Sequence, residues 1–353
     1  MRMSQWTTDP RDALRAGPDF NLALFDPAGT PGFDGSKKDA EALMEQRGQL
    51  LSELQERLYA EGRSGGTRSV LCVVQGLDTA GKGGVARHVM GMVDPQGVEL
   101  RSFGVPTEEE AAHHFLWRIR KALPRPGRIG VFDRSHYEDV LVQRVDSIVP
   151  EEVWRGRYDE INQFEKELVD GGMTVLKFAL MVSYDEQGKR LMERLDRPDK
   201  YWKYSPGDLD TRSKWEQFQA AYADVFRLTS TEHAPWYVIP ADRKWYSRAA
   251  ITEILTRAMV DLGARWPKAS FDVAEQRAAL AATMSTTALR ESLEETEDNV
   301  RGAMEDSVEI REEALQLHGG EPPRGNAEEQ RKRWEAVLEQ AVEQKKQLLE
   351  ERN

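Results

Sequence analysis

The chain has 353 residues, of which 39% are hydrophobic and 31% charged, a balance typical of a folded globular protein and far from a disordered one. No run reaches 18 apolar residues, so no helix that spans a membrane is expected. The formal net charge of -12 argues against a general nucleic-acid binder, because such proteins need a concentrated basic surface.

Residues 1–36, rich in Pro, Gly and Asp, read as an irregular N-terminal arm. The start, MRMSQWTTDP, has no apolar stretch behind its early positive charge, so no secretory signal is expected and a cytoplasmic location follows. Residues 37–61 carry Leu43, Leu50, Leu54 and Leu58 at helical spacing and form an outer helix. Residues 70–75 are a continuous apolar run of strand length; the sole cysteine, Cys72, lies inside it and reads as a packed core thiol. A glycine-rich turn follows, and then Val85, Val89 and Met92 return to helical spacing.

A second strand fits residues 98–103. Thr107 and Glu110 make a capping box that opens a helix over 108–123, which Pro124 and Pro126 stop. Residues 128–132 are a short apolar strand ending at Asp133. Residues 151–170 are helical up to Gly171 and Gly172, and 173–182 form a buried strand. The charged, aromatic stretch 185–233 reads as a mobile lid inserted before a last strand at 236–239 and a helix over 246–262. This β-α alternation predicts a parallel sheet covered by helices on both faces, in a catalytic body over 37–267.

From residue 268 the composition shifts to Glu, Ala, Gln and Arg, with 20 acidic and 12 basic side chains. That segment therefore holds -8 of the net charge. Helices are expected over 273–317 and 327–351, around a break at 319–323. This acidic helical extension shows no catalytic signature and suits a solvated hairpin, an oligomerisation arm or a partner-binding arm.

The strongest chemical signal is Gly76-Leu77-Asp78-Thr79-Ala80-Gly81-Lys82-Gly83-Gly84, with Gly-x-x-x-x-Gly-Lys spacing between a strand and a helix. Such a loop curves its backbone amides around phosphate oxygens, and its lysine places a charge on the phosphoryl group. Position 83 is Gly where the usual loop has a magnesium-binding Ser or Thr. Asp78 is the candidate replacement; its bland alternative is a turn bond to the loop backbone. The strand 129–133 ends in Asp133-Arg134, where a Walker B carboxylate and a phosphate-binding arginine belong. Farther on, Arg190, Arg194 and Arg197 share a helical face, and Lys200 and Lys203 continue it; local charge pairing is the alternative reading. The six histidines show no zinc-ligand spacing, and no Gly-x-Ser-x-Gly elbow is present.

Residues 76–84, 132–139, 197–203 and 234–246 together resemble polyphosphate kinase family 2, over roughly 20–266. The resemblance implies a P-loop kinase fold of the thymidylate-kinase type, a three-layer α/β/α sandwich with a parallel sheet and helical lid. It also implies two magnesium ions, with manganese able to substitute, and polyphosphate in a basic channel. Carried over by residue, it puts Asp78 and Lys82 in the phosphate loop and Asp133 and Arg134 at the strand tip, with both aspartates on metal. Arg197, Lys200 and Lys203, and more weakly Asp208, fall on the lid. Gly76, Thr79, Ala80, Gly81, Gly83, Gly84 and Arg190 join them as phosphate-binding positions, and Glu138 and Arg144 are candidates for nucleotide specificity.

Residues 97–103, 106–107 and 135–140 look closest to the subgroup acting on nucleoside mono- and diphosphates. The expected activity is phosphoryl transfer between polyphosphate and purine nucleotides by a homo-oligomer. The rivals are an ATP-dependent nucleoside or nucleoside-monophosphate kinase and a non-catalytic nucleotide-binding scaffold.

Overall fold

The computed structural model describes residues 5–317 and 327–352. The expected break at 319–323 lies outside the described residues. The chain divides into two compact units, 1–259 and 260–353. The division falls inside a helix, earlier than the 267/268 boundary expected from composition.

The first unit is built on five parallel strands: β1 (Ser69–Gln75), β2 (Val98–Ser102), β3 (Ile129–Asp133), β4 (Met173–Met181) and β5 (Trp236–Pro240), in the order β2-β3-β1-β4-β5. β1 is buried along its whole length, as a continuous apolar strand between two helical layers should be. Its odd residues Leu71 and Val73 join a core with Phe132 and Trp236; the even ones, Val70, Cys72 and Val74, point to the other face. Burial pushes the Cys72 thiol up to about 12, which fits the packed core role.

Helices fill both layers. The N-terminal arm is less irregular than expected: α1 (Pro10–Ala13) is capped by Asp9, Trp6, Leu14 and Phe33 are buried, and Arg15 bridges to Tyr237 of β5. α2 (Lys37–Arg63) opens with a Ser36–Asp39 capping box and buries Leu50, Leu51, Leu54 and Leu58. α3 (Lys82–His88) follows the phosphate loop. The single helix expected over 108–123 is two short ones, α4 (Glu108–Ala111), which has the expected capping box, and α5 (Trp117–Lys121). His113 stacks on Trp117 at 4.1 Å across the break, which no Pro or Gly announces.

After the one-turn α6 (Val142–Val145), α7 (Glu151–Asp170) buries Trp154, Tyr158, Ile161, Phe164 and Leu168 in the core. The lid stretch contains α8 (Tyr184–Asp196), a 3-10 turn (Pro198–Lys203), α9 (Gly207–Ser213) and α10 (Trp215–Thr229). α10 is no lid element, because Phe218, Ala221, Tyr222, Val225 and Phe226 lie in the same core as α7. The lid therefore ends near 214. α11 (Lys244–Leu262) completes the body and is joined to α2 by a buried ion pair, Arg47–Glu253 at 2.7 Å.

A buried polar cluster fastens the turn behind β3. Lys177 Nζ donates to Glu165 Oε2 (2.5 Å), Tyr137 Oη (2.8 Å) and the Thr229 carbonyl (2.7 Å), and Tyr137 Oη donates to Glu165 Oε1 (2.7 Å). Every partner is satisfied within the cluster, so these charges hold the 135–139 turn against α7, β4 and α10.

The second unit holds α12 (Val273–Thr283), α13 (Thr286–Leu317) and α14 (Ala327–Glu350). The helix expected over 273–317 breaks at 284–285, where Ser285 caps the new helix by accepting from Ala288 N. α14 runs antiparallel to α13: Gln330 bonds Ser307 and Lys345 bonds Ser292 and Thr296. Among the described residues, no helix is long and apolar enough to cross a membrane.

Candidate active site

β1 and β3 are neighbours in the sheet, with Val74 registered against Asp133, so the segments leaving both carboxyl ends open side by side. That is where ligands bind in open parallel sheets. The loop after β1 depends on its glycines. Gly76 has φ 153°, and a Cβ there would stand 2.7 Å from the Leu180 carbonyl. Thr79 and Gly81 are also left-handed, at 66° and 117°. Arg134, the residue after β3, is left-handed too at 63°, with its amide bonded to the Val74 carbonyl. Non-glycine residues in this region store strain, and they concentrate where a side chain must be aimed.

The loop and strand tip bring their side chains together. Lys82 Nζ bends back to the carbonyls of Gly76 (2.7 Å) and Leu77 (3.4 Å). Burial lowers its pKa and Arg134 adds to the effect, against Asp133, Asp78 and Glu138. Arg134 Nη2 donates to Asp78 Oδ1 at 3.2 Å, and its Nη1 lies 3.8 Å from Glu138 Oε2. Burial works against the Arg134 charge, but Glu138, Asp78 and Asp133 outweigh it and raise its pKa. Glu138 goes up instead, mainly by burial, with Arg134 and Lys82 opposing. It therefore belongs to the charge cluster, as a partner of Arg134.

Lys82, Arg134, Asp78 and Asp133 open into a cleft of about 740 Å3 that also takes in the lid, whereas Glu138, Gly76 and Ala80 do not line it. Ten lysine and arginine side chains line it against four acidic ones, although the whole chain is acidic. Asp78, Thr79, Gly81, Lys82, Gly83, Gly84, Asp133, Arg134, Arg190, Arg197, Lys200 and Lys203 all face it. Gly83 has open space around it, so the loop itself does not demand glycine there.

Two expectations change. Arg190 is 6% exposed, and four of its five guanidinium donors go to Glu186 and the carbonyls of Thr79, Ala241 and Asp242, so it is fastened to the body as well as facing the cleft. Arg144 is absent from the cleft: it donates to Asp224 (2.8 Å) and Tyr158 (3.3 Å) and lies over the Trp154 ring. The lid cations are partly paired, Arg197 with Asp199 (2.9 Å) and Glu193 (3.3 Å), and Arg194 with Asp208 (3.3 Å). The Arg197 pairs are exposed and exchange readily for a polyanion, since each is worth at most about 1 kcal/mol, whereas Arg194–Asp208 is largely buried.

The opposite wall was not anticipated as a site. It consists of Arg87 and His88 on α3 and Lys244, Ser247 and Arg248 on α11. Lys244 and Arg248 have pKa values lowered by burial and then by neighbouring arginines, as does His88. Cations that depress one another in this way form a surface short of negative charge, which an anionic ligand supplies.

The comparisons agree with this geometry. The sequence model of polyphosphate kinase 2 matches residues 34–264. The chain belongs to the polyphosphate kinase 2 family. An AMP/ADP-polyphosphate phosphotransferase of Meiothermus ruber is 47% identical over 256 residues, 72% of this chain and 94% of the relative. An ADP-polyphosphate phosphotransferase of Rhodopseudomonas palustris is 40% identical over 248 residues, 67% of this chain and 84% of the relative. The crystal structure of polyphosphate kinase 2 from Arthrobacter aurescens superposes with a TM-score of 0.78 at 48% identity, covering 80% of this chain and all of that one. The parallel sheet, the loop after β1 and the α/β/α layering are thus those of a P-loop kinase of the polyphosphate kinase 2 family.

Proposed function

We propose that this member of the polyphosphate kinase 2 family transfers phosphoryl groups between inorganic polyphosphate and nucleotides. The observation that carries the reading is the cation-rich cleft at the tips of β1 and β3, where Lys82 and Arg134 meet Asp78 and Asp133 beneath a basic lid. A terminal phosphate oxygen of the nucleotide attacks the terminal phosphorus of polyphosphate. A P–O bond forms to the nucleotide, the P–O bond to the penultimate phosphate breaks, and the polymer leaves one unit shorter. That oxygen is largely ionised near neutral pH, so bringing two polyanions together is the harder task, and no strong base is required. Lys82 and Arg134 neutralise charge on the transferring group, while lid and α3–α11 cations hold the polymer.

The residues present fit magnesium. The Asp133 carboxylate makes no hydrogen bond or ion pair among the described residues, and Asp78 holds only Arg134. No cluster of three or more potential protein ligands exists among the described residues, which suits a cation that takes one or two carboxylates and completes its shell with phosphates and water. Asp78 and Asp133 would hold two such ions, or manganese in their place, and the charge supplied there would neutralise phosphate.

Acceptance of both AMP and ADP is part of the proposal, supported by the name of the Meiothermus relative and the 135–140 resemblance. A homo-oligomer in the cytoplasm, with no nucleic-acid or membrane partner, completes it. The experiment is a donor-by-acceptor matrix: polyphosphate or ATP as donor, and AMP, ADP, GMP or GDP as acceptor, with products resolved by chromatography. Polyphosphate with ADP should yield ATP. Transfer from ATP alone would favour the rival nucleoside-monophosphate kinase.

The lid offers a further check. Lys203 lines the cleft and lies over the Trp202 ring at 4.9 Å, making no ion pair among the described residues. Lys203→Ala should raise KM for polyphosphate most at low salt, and the difference from wild type should shrink at high salt, where the lost attraction is already screened. A salt-independent change would assign Lys203 to packing on Trp202.

A further inference from the structure

We infer that Gln187 and Arg190 are positioning residues that tie the lid to the phosphate loop, an inference that rests on the phosphotransferase reading above. The first half of α8 is anchored to the body. Ser183 caps it by accepting from Glu186 N (3.2 Å), and its own N and Oγ donate to the Asp242 carboxylate (2.8 and 2.7 Å). Arg190 then spans two loops at once, with Nη1 donating to the Thr79 carbonyl (3.0 Å) and Nη2 to those of Ala241 and Asp242 (both 2.8 Å).

Gln187 is fully buried, and its amide is used at both ends. Nε2 donates to the Asp78 carbonyl at 3.3 Å, and Oε1 accepts from Arg212 Nη1 at 3.1 Å. Arg212 belongs to α9; it also donates to the Tyr184 carbonyl (2.6 Å) and lies over the Tyr184 ring at 3.4 Å. A continuous line of hydrogen bonds therefore runs from α9 through one buried amide to the backbone of Asp78. A shift of α9 that moves Arg212 alters how the loop carbonyl is held.

The consequence falls on Thr79, whose left-handed backbone a non-glycine residue keeps only where neighbours over-determine it. Arg190 and Gln187 hold the two successive carbonyls, 78 and 79, that fix the curve of the loop ahead of Lys82. With four of its five donors on Glu186 and three carbonyls, Arg190 acts through the loop more than by gripping phosphate.

The test compares Arg190→Gln, Gln187→Met and Arg190→Lys with the wild-type chain, using tripolyphosphate and long-chain polyphosphate as donors and ADP as acceptor. For the first two variants kcat should fall ~10- to 100-fold, as for other small misplacements of reacting groups, while KM for polyphosphate moves less than about threefold at low and high salt. Arg190→Lys, which reaches one carbonyl, should recover part of the loss. Amide hydrogen exchange over residues 76–84 should quicken in both disabling variants, a readout independent of turnover. A rise in KM with kcat preserved, largest at low salt and fading at high salt, would instead make Arg190 a phosphate ligand and overturn the inference. Unchanged kcat and unchanged loop exchange in folded Gln187→Met would overturn it as well. A wild-type protein inactive on polyphosphate would defeat the functional reading itself, while the exchange experiment would still score the coupling.

Discussion

Replacing Lys82 by alanine should lower kcat by at least ~10^2-fold, the size of effect seen when one preorganised charge contact to a transition state is removed. The expectation follows from what the Lys82 ammonium touches. It rests on the carbonyls of Gly76 and Leu77, within the field of Asp133 and Asp78. Phosphate oxygens are far better partners than two carbonyls, so the charge is free to transfer to substrate. Burial has already lowered its pKa, which means that the site holds the charge at a cost that an incoming anion relieves. The fold should survive, because the side chain bonds only two carbonyls of the loop after β1. Steady-state kinetics with circular dichroism would check this, and near-normal turnover in a folded variant would remove Lys82 from the mechanism.

Asp133→Asn should also cost at least ~10^2-fold in kcat, for the opposite electrostatic reason. The carboxylate stands at the tip of β3 with no hydrogen bond or ion pair among the described residues, so an isosteric amide disturbs little structure. What it removes is the negative charge that would hold a cation between donor and acceptor. In metal-free buffer the variant should bind tripolyphosphate at least as tightly as wild type, since one repulsive charge is gone; with magnesium its turnover should collapse. Parallel loss of metal-free binding and turnover would show that Asp133 organises the loop.

The contrast between these two residues and the lid explains what could be read from the chain. Lys82 and Asp133 are set by local pattern: glycine spacing after one apolar strand, and the end of another. Their meeting follows from the β1–β3 pairing that a parallel sheet imposes. The carbonyl partners of Arg190 were not legible, because helical spacing shows which side chains share a face, not which carbonyls wait for them; two of them are 111 and 51 residues away in sequence.

Arg87, Lys244 and Arg248 were overlooked for the same reason, since only the folded chain sets α3 beside α11. The lid's far limit was legible and passed over: Phe218, Ala221, Tyr222, Val225 and Phe226 fall at helical core spacing inside a stretch judged by its charge. Arg144 came from resemblance alone, and Asp224 holds it away from the cleft lining.

The acidic extension stands apart. The family model ends at 264 and covers none of α12 to α14. Its internal bonds, such as Lys345 to Ser292 and Gln344 to Ala274, show a packed helical unit.

The most direct measurement of the central claim is a phosphorus balance. Purified protein, magnesium, ADP and long-chain polyphosphate are followed by phosphorus NMR, and each terminal unit lost by the polymer should appear as a γ-phosphate on ATP, with little free orthophosphate. Polymer and ADP both left unchanged, or orthophosphate released without ATP, would contradict a cleft built to bring two phosphate chains together.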